Sequence, residues 1–157
     1  MNTSSANPSW RLIYSTNNKV LDLFYSSGVT ETLNNLYEGS SKLACINKIK
    51  ELNLTTPEGI DLSIPPLDIN NIDNLTEDEL VYYSPMEVSA FQARFILAKE
   101  GLLENIMSVI AELPITDKTR IAWDTNAPFR QDFEGVIAFA QIFNLNLKLL
   151  FLKASLL

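Results

Sequence analysis

One stretch, Pro85 to Asn144, does most to limit what this 157-residue chain can fold into, because its apolar spacing is helical and its breaks are sharply placed. A first helix is expected over about Glu87 to Glu100, with Val88, Phe91, Phe95 and Ala98 on one face. Pro85 suits the approach to its first turn. Gly101 is a natural residue for chain reversal after it. A second helix, about 102–113, presents Leu103, Ile106, Met107, Ile110 and Leu113 as one stripe, and Pro114 ends it. The two are expected to pack as an antiparallel hairpin. Thr116 or Asp117 caps a third short helix to about Asp124, carrying Ile121 and Trp123. Asn126-Ala127-Pro128 makes a corner. Asp132 caps a fourth helix with Phe133, Val136, Ile137, Ala140 and Phe143 inward. After a break at 144–146, Leu147 to Leu157 is so apolar that it must pack on its own domain or on a partner.

The chain before Pro85 reads differently. Residues 1–9 are polar and expected to be flexible. Trp10–Tyr14 and Lys19–Tyr25 are rich in aromatic and branched residues, and Asn17-Asn18 between them suits a two-residue turn, so 10–25 is expected to be a β-hairpin. Thr30–Tyr37 fits either a third strand or a short helix. Ser40 or Ser41 caps a helix to about Leu52, with Leu43, Ile46, Ile49 and Leu52 along one side. Residues 55–84 carry Pro57, Gly59, Pro65 and Pro66 and read as a linker, with a helix start at Thr76-Glu77-Asp78-Glu79. The fold class is therefore α+β: a small β-hairpin and helix unit over 1–54, an acidic linker over 55–84, and a helical domain over 85–157 of about four to five short helices.

Charge and composition narrow the function. The net charge of −7 comes from the linker, which holds seven acids and no base; residues 1–54 sum to +1 and residues 85–157 to −1. No basic block exists to neutralise phosphates, so a nucleic-acid partner is not expected. There is no histidine, which removes the commonest general base and metal ligand together. Cys45 stands alone, so no intrachain disulfide can form, and it reads as a small core residue. The first residues have neither the basic nor the apolar region of a secretory signal, and no apolar run approaches the ~18 residues of a membrane span. No membrane partner is expected. Three Asn-x-Ser/Thr triplets, at Asn2, Asn53 and Asn74, are read as chance in an Asn-rich chain.

A search for chemistry returns little. There is no phosphate-binding glycine loop, nucleophile elbow, zinc spacing or cysteine pair, and the acids of 73–79 lack the alternation and central glycine of a calcium loop. No catalytic residue, metal ligand or cofactor is assigned, and the chain is expected not to be an enzyme. The most suggestive polar group is Arg120, Asp124, Arg130 and Asp132 around Trp123 and Phe129. It reads first as a clasp fixing the proline corner and second as a recognition patch. Protein-contact residues, if the patch is used, are Trp123, Phe129 and Arg130, joined by Leu150 and Phe151 of the apolar end. The hairpin edge strands are a second surface able to meet a partner.

The ordered series Ser89-x-x-Gln92-Ala93-Arg94, Gly101-Leu102-Leu103, Leu113-Pro114, Arg120-Ile121-x-Trp123-Asp124 and Phe129-Arg130-x-Asp132 resembles a helical C-terminal module. The module is that of small proteins encoded in the tail and tail-fibre region of tailed bacteriophages and prophages. The resemblance covers about residues 85–152. It implies a minor structural component or an assembly chaperone, with a tail-fibre or baseplate protein as partner, a homo-oligomer as a further option, and a location in the virion or host cytoplasm. It implies no catalytic residues. The chain departs from the module where a Gly-Leu-Thr/Ser-Asp-like helix start is replaced by Asn144-Leu145-Asn146-Leu147. The alternative reading is a small host regulatory module that binds a protein partner.

Overall fold

The computed structural model describes residues 1–5 and 7–157. The fold is α+β. It divides into two compact units: Met1–Leu67 with Thr76–Tyr82, and Asp68–Leu75 with Tyr83–Leu157.

The first unit is built on a three-stranded antiparallel sheet in the order β3-β2-β5, with β2 over Ser9–Tyr14, β3 over Val20–Ser26 and β5 over Asn35–Gly39. Alternation along β2 decides its faces. Trp10, Leu12 and Tyr14 turn toward helix α1, Lys42–Glu51, and form a core with Val20, Cys45 and Ile49. The hairpin of β2 and β3 is present, but its turn is longer than two residues. Asn18 takes φ 56° inside a loop closed by Ser15 N–H to the Lys19 carbonyl. The segment 30–37 resolves as strand: β4, Glu31–Thr32, pairs with β1, Asn2–Thr3, and β5 follows. The N-terminal residues expected to be flexible are therefore partly tied down. Ser41 caps α1 as its spacing requires, accepting from Ala44 N–H at 3.0 Å.

The segment expected as a linker is shared between the two units. Ile60 and Leu62 pack on the core of the first unit, and Thr55 holds Val20 and Asn18 by backbone bonds. Helix α2, Glu77–Tyr83, opens with a reciprocal cap in which Thr76 N–H donates to Glu79 at 2.7 Å. Its Asp78 carboxylate accepts from both Ser40 and Ser41 at 3.0 Å, and Lys50 lies 3.7 Å from the centroid of the Tyr82 ring. The 3-10 turn Ile69–Asn74 instead belongs to the second unit, where Asp73 pairs with Lys153 at 2.7 Å.

The second unit holds helices α3 (Ala90–Lys99), α4 (Leu103–Glu112), α5 (Lys118–Asp124), α6 (Glu134–Ile142) and α7 (Leu147–Ser155). Two short strands, β6 (Glu87–Val88) and β7 (Phe129–Arg130), pair antiparallel beside them. The first helix thus begins three residues later than its pattern suggests, because Glu87 and Val88 are taken by β7. The start of α6 also differs from expectation. Asp132 does not cap it, since Arg130 engages that carboxylate through two bonds of 2.9 Å. The departure at 144–147 is answered by chemistry. Asn144 takes φ 51°, the conformation a glycine would supply, and Asn146 caps α7 by accepting from Leu149 N–H at 3.1 Å.

Candidate interaction site

Helix α3 carries two apolar stripes, and only one can face inward. Ala90, Ala93, Ile96 and Leu97 are buried. The other stripe, the face that the spacing picked out, points to solvent: Phe91 is 72% exposed and Phe95 47%. Val88, placed by the pattern on that same face, is buried from strand β6 instead. The small residues win the interior because alanine lets α3 approach its neighbours closely, which two phenylalanines would prevent. The Phe91 and Phe95 rings lie 6.0 Å apart, an i, i+4 pair on one helix face. With Ala98, Leu103, Arg94 and Asn126 they line an open groove of about 610 Å³.

The helix beneath these rings is firmly set. Ser89 and Gln92 form a full capping box, with Gln92 N–H donating to Ser89 Oγ at 3.2 Å and Ser89 N–H to Gln92 Oε1 at 3.1 Å. Arg94 extends from the same helix across the Trp123 ring, 4.6 Å from its centroid. Its guanidinium donates to the Trp123 carbonyl and to Asn126 Oδ1. Arg94 thereby ties α3 to the end of α5. Its buried Nε has no hydrogen-bond partner among the described residues.

The polar group expected around the corner divides into separate clasps. Arg120 donates to the Ala111 and Leu113 carbonyls at 3.2 and 2.7 Å, closing the end of α4, and lies 3.6 Å from Asp124. Arg130 pairs with Asp132 and, at 3.5 Å, with Glu87 on the adjacent strand. The hydrogen bond from Arg130 holds the Asp132 carboxyl below the usual carboxylate range. Trp123 meets Phe129 edge to face at 5.7 Å.

Of the five residues expected to contact a partner, Arg130 remains about half exposed, with its guanidinium engaged by acids of its own chain. Trp123 and Phe129 are half-buried, Leu150 packs beside them, and Phe151 is only 5% exposed. These last four line one apolar cavity inside the second unit. Phe151 is a core residue and Leu150 is partly buried beside it, because the apolar end of the chain finds cover on α3 and β6, in its own unit. Phe91 and Phe95 are the surface residues that the pattern concealed. The signal for them was in the sequence as the second stripe, Ala90-x-x-Ala93-x-x-Ile96-Leu97, which competes with the first.

The groove is poorly furnished to react. Its one hydroxyl, Ser89, is spent on the helix cap, and no carboxylate or thiol lines it. Among the described residues, no group of three or more His, Cys, Asp or Glu side chains could hold a metal ion. Cys45 lies in the other unit, where burial pushes its thiol up to about 12. Comparison of the chain with family models, curated proteins and solved structures finds no match.

Proposed function

We propose that this chain is a non-enzymatic interaction protein of the tail region of a tailed phage or prophage, either a minor structural component or an assembly chaperone for a tail-fibre or baseplate protein. The observation that carries the binding role is the Phe91–Phe95 face, aromatic and open to solvent on a helix that is capped and clamped. A rigid helix presenting aromatic anchors is what a protein partner requires, and exposed aromatic pairs are costly to solubility unless they are used. The tail assignment rests on the residue series described above. Its members hold the helical frame around the aromatic face: Ser89 and Gln92 cap α3, Arg94 bridges to α5, Gly101 turns the chain at φ 71°, and Arg120 closes α4.

The test is mass spectrometry of purified particles against a lysate of the same cells, joined to co-purification with the fibre and baseplate proteins encoded beside this chain. The expected result is recovery with one of those proteins by the wild-type chain and its loss in Phe91→Ser/Phe95→Ser. Detection in particles would make it a structural component; presence in the lysate alone, with fibre bound, would make it a chaperone. Absence from every particle and no binding to any neighbouring product would overturn the tail reading in favour of the host module.

A further inference from the structure

The core of the second unit is not continuous. One cluster gathers Val88, Ala93, Ile96, Phe151 and Ala154; another gathers Leu97, Ile106 and Ile110. Between them lies a cavity of about 80 Å³, walled by side chains from all five helices of the unit and from β7. Native interiors hold few voids larger than a water molecule. Here the space persists because alanine stands where larger residues would fill it, at Ala93, Ala122, Ala127 and Ala140.

The wall also says what could occupy it. None of the lining residues carries a charge, and the polar side-chain groups are the Thr119 hydroxyl and the Trp123 indole N–H. A water molecule needs two to four polar partners, so such a space stays dry. Phe129, Phe133, Phe139 and Phe151 supply polarisable ring surface around it. Among the lining residues, Pro128 is exposed and Ala127 half-buried, so the wall comes nearest the surface at the corner between α5 and β7. An apolar cavity of about 150 Å³ takes benzene. One of about 80 Å³ is sized for something smaller.

We infer that this cavity is a binding site for a small uncharged apolar molecule, a hydrocarbon of a few carbons or a group of similar size and polarity. The inference stands on the cavity alone and is independent of the partner proposed above. The test uses the full chain with labelled methyl groups, titrated with xenon and with cyclopropane and followed by nuclear magnetic resonance. The expected result is a saturable shift of the Ala93, Ala122, Ala140 and Ile96 methyls, with those of Leu12 and Val20 in the first unit unmoved. Tetramethylammonium, compact but charged, is expected to shift none of them. Ala140→Val, which fills the space, is expected to abolish the saturable shift while leaving the rest of the spectrum in place. The wild-type titration decides the matter even if that variant folds poorly. Shifts that do not saturate, that spread equally to the first unit, or that appear as strongly with the charged probe would overturn the inference.

Discussion

Arg11 is the least ordinary residue of the chain. It sits on the central strand, 0% exposed, on the sheet face opposite α1. Burying a guanidinium is tolerable only when its donors are satisfied. Arg11 donates to Ser4 Oγ, to the carbonyls of Ser5, Asn7 and Ser26, and to Glu38. It therefore folds the N-terminal residues back over the sheet. Arg11→Met is expected to cost about 2 to 3 kcal/mol in urea unfolding, below the range for fully buried pairs because Glu38 keeps contact with water. Glu38 gives the same clasp a pH dependence. The backbone N–H of Ser5, followed by the Arg11 charge, holds its carboxyl below the ordinary value of 4.5. Its contribution is complete above that value. It fades as pH falls below 4.5, where the unfolded chain takes up protons that the folded chain resists. Glu38→Gln should show a flatter stability profile than wild type in that acid window. Cys45, with its thiol raised by burial, is expected to resist iodoacetamide at pH 8 in the folded chain and to react on unfolding, which makes its labelling a clock for opening of the first unit.

Helix ends show a rule that single residues do not. Helices α1, α3, α5 and α6 each close with the same pair of backbone bonds, seen for α1 as Asn53 N–H to the Lys50 carbonyl and Leu54 N–H to the Ile49 carbonyl. The left-handed residue is Gly101 after α3 but asparagine after the others: Asn53, Asn126 and Asn144. Asparagine tolerates that conformation through its short polar side chain, whereas alanine does not. Asn144→Ala is expected to cost about 1 kcal/mol, and Asn144→Gly to hold the wild-type midpoint in the same urea titration. A second element-scale test lies where α5 meets α6. A Cβ on Gly135 would come within 2.3 Å of Thr119 Oγ1 and 2.6 Å of its Cγ2. Gly135→Ala should destabilise by about 1 to 3 kcal/mol, with partial relief from Thr119→Ala, since the Thr119 Cβ at 2.9 Å remains. These ends also explain what could be read in advance. Pro114, Gly101, Ser41 and Asp117 are local signals, and the helix ends they mark lie where the sequence put them, although α3 starts later than its spacing suggested. Which stripe of α3 faces inward is settled by how closely helices approach, a tertiary matter that spacing along one helix cannot decide. Asp132 misled for a similar reason: a good capping residue was claimed by Arg130, two positions away.

At the scale of the molecule, the second unit carries a void at its centre. At roughly 24 cal/mol per Å³ of cavity, a space of this size costs about 2 kcal/mol, a sizeable share of the stability of a small domain. Ala140→Val is accordingly expected to raise the melting temperature of wild type. The first unit depends on a segment distant in sequence from its sheet. Asp78 and Tyr82 reach it only after the chain has visited the second unit at Asp68–Leu75. A fragment of residues 1–83 should therefore be more stable to urea than one of residues 1–67, even though the added residues read as a linker.

That interleaving has a consequence for inheritance. Genes that diversify by exchanging blocks can swap a domain cleanly only where one cut separates it from the rest. Here the chain passes between the units at three places, after Leu67, Leu75 and Tyr82. A crossover between 68 and 75 parts the sheet from Asp78, and a crossover between 76 and 82 splits α2 itself. Only an exchange at the last passage, beside Tyr83, hands over the five helices with the first unit whole, and even that leaves Lys153 to find its Asp73 in another lineage.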